Sequence, residues 1–205
     1  MQDMDAMACD VVLLPTPELG GAAINMSRKL SVHQTLYVLN AAGPFPHVSL
    51  YMVQLQDAMI GQAKAQLAGI AANNAALRLT AARYDQTEGY IDADYGRLPS
   101  LVDLQMEVID AINPLRDGLR KQDRARLPTD TGIVRANIEQ YGYRGVGDLF
   151  RPHLSLTRFA NGSAIDVAEL PSPDVLSGLF VALGLFQMGD NGTCVRQIAS
   201  FPLGG

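Results

Sequence analysis

Histidine and cysteine are both scarce in this chain, with three and two residues among 205. The cysteines, Cys9 and Cys194, stand in no CxxC or Cys/His spacing, which excludes the common structural zinc and redox motifs. They read as buried free thiols of a cytosolic protein. Pairing of strands from the two ends of the sequence would bring them close, but their spacing does not show it. No run approaches the 18 apolar residues of a membrane-spanning helix, so no membrane partner is expected. The opening "MQDMDAMACD" has no basic n-region, so no signal peptide is expected and the location is read as cytoplasmic. Basic residues are outnumbered, with a formal net charge of −5 and a pI near 5.1. That excludes a broad basic surface gripping duplex DNA; it leaves room for a local pocket that takes one phosphate. The chain is 48% apolar and 18% charged, enough to build a core, and it fits one domain over residues 1–205.

Periodicity assigns elements along the chain. "CDVVLLP" reads as a buried strand stopped by Pro15 and Pro17, followed by a helix from Glu18 to Leu30. "HQTLYVLN", His33 to Asn40, reads as a second strand. Leu55, Met59, Ala63, Leu67 and Ile70 recur at helical spacing, so a helix is expected from Asp57 to Asn73 with Asp57 as its N-cap. "ALRLTAARYD" and "EGYIDADY" form a hairpin around Gln86 and Thr87. A longer helix starts at a capping-box-like Ser100 and Asp103, carries a stripe from Leu101 to Leu119, and is interrupted at Pro114. Lys121 to Gly132 reads as a charged connector and "IVRANIEQY" as a short helix. "GYRGVGDLF" is irregular. Ser172 to Leu176 starts another short helix, and the sequence closes in a hairpin turned at "DNG". Hairpins outnumber βαβ units, which points to an α+β fold.

Two of the three histidines sit in one repeated phrase. "PHVSLY" begins at Pro46 and "PHLSLT" at Pro152. On a strand, residues i and i+2 share a side. His47 and Ser49 therefore form one imidazole–hydroxyl pair, and His153 and Ser155 another, while Val48, Leu50, Leu154 and Leu156 face the core. Two such strands side by side offer one neutral and one protonated imidazole for general base and general acid work. The serine hydroxyls stand ready to donate to phosphoryl oxygens. By the same alternation Tyr51 and Thr157 line the pocket, with burial as core the alternative for Tyr51. Arg151, Arg158 and Arg144 lie near the second phrase as phosphate contacts or as solvated surface. Tyr143 and Tyr141 are further candidates for stacking on a base. His33 has no such context. No HExxH or close ligand spacing supports a zinc site, and neither a metal nor another cofactor is expected.

The paired phrases resemble the signature of the 2H phosphoesterase superfamily, whose members carry two H-x-[ST] motifs and include bacterial 2′-5′ RNA ligase-like proteins and cyclic nucleotide phosphodiesterases. The order of strands and helices is similar over most of the chain, as is the ending "FPL" at Phe201 to Leu203. The resemblance implies two pseudo-symmetric lobes of antiparallel sheet lining a central cleft, with helices outside. It implies His47, Ser49, His153 and Ser155 as catalytic residues. It also implies a nucleotide or RNA terminus with a cyclic or 2′-5′ phosphate as substrate, acted on without metal by a monomer. Two other readings stand beside it: a binder of nucleotides or RNA ends without turnover, and two core strands of an unrelated protein.

Overall fold

The computed structural model describes residues 6–161 and 163–204. Its eight strands are β1 (Ala6–Pro15), β2 (Val48–Gln56), β3 (Leu77–Leu79), β4 (Ala81–Thr87), β5 (Tyr90–Tyr95), β6 (His153–Arg158), β7 (Gly178–Met188) and β8 (Cys194–Pro202). Its α-helices are α1 (Pro17–Leu30), α2 (Asp57–Asn73), α3 (Pro99–Ile112), α4 (Lys121–Arg126) and α5 (Gly132–Tyr141). The strands form two antiparallel sheets. One has five strands in the order β2-β1-β7, with β3 and β8 sharing the far edge of β7; the other is β6-β5-β4. The expected α+β architecture is the one observed. Each histidine phrase forms an edge strand, β2 in the large sheet and β6 in the small one. The two edges lie against each other although they belong to different sheets. Helices α2 and α3 pack together behind the large sheet, and α1 rests against both β1 and β6.

The second strand of the small sheet corresponds to the second strand of the large one, and so do the irregularities. In β2, Ser49 pairs with Val12 and Tyr51 with Val11, so Leu50 has no partner. In β6, Ser155 pairs with Asp92 and Thr157 with Ile91, so Leu156 has none. Each histidine strand thus carries a one-residue bulge after its serine, and each bulge flips the alternation that follows. The carbonyl of Leu50 accepts instead from buried Gln105 of α3, at 3.0 Å; the same amide reaches the Gly145 carbonyl at 2.7 Å. The helix therefore clamps the bulge and the loop before the second phrase together.

Several local expectations are corrected. "HQTLYVLN" is not a strand: Ser31–His33 form a 3-10 turn, and Thr35 makes one bridge to Phe159. Its apolar residues serve packing and its backbone is spent on the small sheet's edge, where the Leu36 N–H donates to the Arg158 carbonyl at 2.7 Å. Gln56 is the cap of α2 and Asp57 its first residue, where the carboxylate still favours the helix start. Pro99 opens α3, with Leu98 at the cap, which leaves Ser100 inside the first turn. The "connector" contains α4, anchored by the buried pair Arg120–Asp123 at 2.7 Å. The first hairpin turns at Glu88 and Gly89, whose positive φ angles of 52° and 83° suit a two-residue turn. At Pro114 the helix does end, passing into a 3-10 turn over Asn113–Leu115. Both cysteines are buried and free. No helix among the described residues is long and apolar enough to cross a membrane.

Gln105→Leu should leave the buried Leu50 carbonyl and the half-buried Gly145 carbonyl without this donor. A loss of about 2–4 kcal/mol is expected, read as a lower midpoint in urea at unchanged slope; an unchanged midpoint would mean the bulge does not need this clamp.

Candidate active site

Strand β2 begins one residue after His47, and β6 begins at His153, so each imidazole stands where its strand enters the sheet. Both rings are oriented in the same way. His47 Nδ1 lies 2.7 Å from the Phe45 carbonyl and His153 Nδ1 lies 2.7 Å from the Arg151 carbonyl. A carbonyl can only accept, so Nδ1–H donates in both and Nε2 is left as the nitrogen free to accept. The side chains keep 12% and 30% of their surface exposed. The rings are close enough that charge on His153 opposes charging of His47. The structure thus brings His47, Ser49, His153 and Ser155 to one place.

It also adds two residues that the pattern analysis passed over. Ser49 Oγ donates to Asp10 Oδ2 and Ser155 Oγ to Asp92 Oδ1, each at 2.6 Å. Asp10 Oδ2 is 3.7 Å from His47 Nε2, and Asp92 Oδ2 is 3.9 Å from His153 Nε2. Each half-site is therefore an imidazole, a hydroxyl and a buried carboxyl, built from an edge strand and its neighbour. The signal was present: "CDVVLLP" and "YIDADY" each place an acid inside a buried strand, where an unpaired charge is costly.

The halves differ in what surrounds the carboxyl. Asp92 is ion-paired with Arg151, which also reaches Asp85 and Asp94 at 2.9 Å each. Among the described residues Asp10 touches no Lys or Arg, and its Oδ1 has no hydrogen-bond partner. Burial pushes the Asp10 carboxyl up to about 7, opposed by the Ser49 hydrogen bond and by the field of Arg120. Burial likewise pushes His47 down to about 4, opposed by its bond to the Phe45 carbonyl and reinforced by His153. Between about pH 4 and pH 7 the His47–Asp10 approach is thus a contact between neutral groups and not an ion pair. Cys194 Sγ completes this half, 3.6 Å from His47 Nε2; burial raises its pKa and keeps the thiol protonated.

The remaining expected residues fall in different places. Tyr51 and Thr157 are fully buried and do not line the cleft, because the bulges at Leu50 and Leu156 turn the strand phase before reaching them. Their hydroxyls are used: Tyr51 Oη donates to the Tyr141 carbonyl and Thr157 Oγ1 to the Tyr37 carbonyl, both at 2.6 Å. Each bond fixes a segment that brings another tyrosine to a half-site. Tyr143 lies in the field of Asp10, with Arg120 over its ring at 5.8 Å. Tyr37 lies in the field of Asp92, and burial raises its pKa. Tyr37 was hidden by the false strand. Arg151 reaches the second half-site but is held by its three carboxylates. Arg158 covers the Tyr90 ring at 4.6 Å and donates to Asn191 Oδ1 at 2.9 Å, and Arg144 is exposed. His33 is exposed, edge-on to Phe159.

Two facing antiparallel sheets, with helices outside and a histidine edge on each, define a bilobal α+β fold that solved structures share. They include E. coli LigT complexed with ATP, at 13% identity and a TM-score of 0.58 over 98% of this chain and 99% of that one. E. coli LigT complexed with NADP+ matches at 12% identity and 0.57 over 98% and 100%, and a crystal structure of a phosphoesterase at 11% and 0.57 over 98% and 100%. At such identities the likeness is one of fold. No protein-family model and no curated protein matches the sequence.

Asp10 makes its own pH-dependent contribution to stability, opposite in sign to that of His47. A carboxyl raised from 3.8 to about 7 on folding contributes stability that is complete below pH 4 and lost as pH rises through about 7. In EDTA, Asp10→Asn should therefore gain on the wild type as pH rises between those limits, by about 4 kcal/mol over the whole range. Chemical denaturation across the range checks this; a pH-independent difference would mean that Asp10 titrates as in the unfolded chain.

Proposed function

We propose that the chain is a 2H-type phosphoesterase. In this reading it opens a 2′,3′-cyclic phosphate or a 2′-5′ phosphodiester of a nucleotide or RNA end by two-histidine general acid/base catalysis. The observation that carries this reading is the duplicated half-site: two Nε2 atoms, two hydroxyls and two buried carboxyls on adjacent sheet edges. Support also comes from the shared fold, since E. coli LigT has been crystallised with phosphate, ATP, NADP+ and 3′-AMP, all of which carry phosphate.

The asymmetry of the halves supports a division of labour. His47, neutral at working pH, takes the proton of the attacking water on Nε2. His153, more exposed and facing the Arg151-paired Asp92, gives its Nε2 proton to the departing ribose oxygen. Water's oxygen bonds to phosphorus as the ester P–O bond breaks, and the two imidazoles exchange protonation states. Ser49 and Ser155 hold the phosphoryl oxygens. As drawn, both hydroxyls donate to carboxylates, so a donor to phosphate needs the proton to turn round. A protonated Asp10 donates to Ser49 and frees that hydroxyl for the phosphoryl group.

Hydrolysis of 2′,3′-cyclic AMP should proceed in EDTA, with the rate rising through about pH 4 as His47 loses its proton. His47→Ala and His153→Ala should each lower the rate by about 10²–10⁴-fold. Retention of the wild-type rate by either variant sinks the assignment. Tight binding of 3′-AMP with no turnover of any cyclic or 2′-5′ substrate would make the protein a binder instead.

Asp10→Asn should cost less than the histidine variants, on the order of tenfold, by fixing a donor beside Ser49 but removing the exchangeable proton. A rate equal to that of His47→Ala would make the carboxyl a direct participant.

A further inference from the structure

The first half-site contains a group that acid/base catalysis does not use. Cys194 is the first residue of β8, fully buried, and it is drawn to His47 by a backbone bond from the Phe45 N–H to the Cys194 carbonyl at 3.0 Å. Among the described residues, Asp10, His47 and Cys194 hold a carboxylate oxygen, an imidazole nitrogen and a sulfur within 4.8 Å of one another. We propose that these three side chains form a site for a thiolate-preferring divalent metal ion such as Zn2+, and that its occupancy ties up His47 Nε2 and blocks hydrolysis.

The spacing fits that ion. With Zn–S of about 2.3 Å and Zn–N of about 2.1 Å, a tetrahedral centre separates sulfur from nitrogen by about 3.6 Å. The Cys194 Sγ to His47 Nε2 distance is 3.6 Å, and Asp10 Oδ2 to His47 Nε2 is 3.7 Å. The surroundings fit as well. His47 donates its other ring N–H to a backbone carbonyl, which fixes the tautomer that leaves Nε2 free for a metal. Ser49 steadies one oxygen of Asp10, while the other, Oδ1, is buried and has no partner among the described residues. A thiolate and a carboxylate neutralise a divalent ion, so the buried centre carries no net charge. Binding sends the thiol proton, and any proton on Asp10, to solvent; no electron moves. Sulfur and imidazole select Zn2+, Co2+ or Cd2+ over Mg2+. The second half-site offers an internal contrast: His153 and Asp92 have no sulfur beside them, and Arg151 occupies the carboxylate.

Two measurements test this, and only the second rests on the catalytic reading above. First, EDTA-treated, desalted protein is titrated with Co2+. A near-ultraviolet thiolate charge-transfer band and intense tetrahedral visible bands should appear at one equivalent and be displaced by Zn2+. Cys9→Ser should keep the charge-transfer band, and because it holds a single thiol the band then belongs to Cys194. Cys194→Ser should lose it, and His47→Gln should weaken binding at least tenfold. Weak octahedral visible bands alone, or no charge-transfer band in Cys9→Ser, overturn the site even if Cys194→Ser fails to fold. Second, Zn2+ should inhibit 2′,3′-cyclic AMP hydrolysis over the range in which it displaces Co2+, with reversal by EDTA and no effect of Mg2+. Optical binding without inhibition of an active enzyme overturns the block but not the site. A chain with no hydrolytic activity but a full Co2+ spectrum overturns the catalytic reading and leaves the site standing.

Discussion

A carboxyl group cannot sit in an apolar interior without partners, and this protein buries one in each sheet beside an edge histidine. Much of the arrangement around the cleft answers that constraint. The serine two residues after each histidine is there to donate at 2.6 Å. The bulge after each serine lets the edge strand serve the cleft on one side of the kink and the core on the other. Beyond it, Tyr51 and Thr157 turn their hydroxyls to the carbonyls that carry Tyr143 and Tyr37 into place. The duplicated phrase is thus the visible part of a longer duplicated device that spans a strand, its neighbour and a docked loop.

The two copies solve the same problem differently, and the difference gives each its chemistry. The small sheet compensates Asp92 with a guanidinium, which Asp85 and Asp94 hold in turn. The large sheet supplies no cation to Asp10, and both Asp10 and His47 answer by moving toward their neutral forms. In the proposed mechanism, near-symmetry of backbone with asymmetry of charge is what lets one imidazole accept a proton while the other gives one up. Neither role is written in the shared phrase; both depend on what the neighbouring strand brings.

How much of this was legible in the sequence can be traced residue by residue. Alternation and repetition found His47, Ser49, His153 and Ser155, and helical spacing found α2 to the residue. The same alternation carried two residues too far misplaced Tyr51 and Thr157, because a bulge is a property of strand pairing and leaves no mark in composition. Asp10 and Asp92 were readable as acids inside apolar strands, but their partners lie 39 and 63 residues away. Tyr37 was lost inside "HQTLYVLN", whose strand-like composition gives way to a turn and a single bridge once its neighbours are paired. Cys194 lies 147 residues from His47, and only the stacking of β8 beyond β7 joins them.

That stacking has a consequence for the order in which the molecule can assemble. The small sheet is complete once Arg158 exists, since β4, β5 and β6 are all in hand. The large sheet is not: β1 waits beside β2 until β7, from Gly178 onward, arrives to take its other edge, and β8 must then cover β7. During synthesis the half-site with Asp92 can close early. The half with Asp10 stays open until nearly the last strand, its acid still solvated and its histidine still without the sulfur beside it. The two halves of one cleft are therefore of different ages in the life of each molecule.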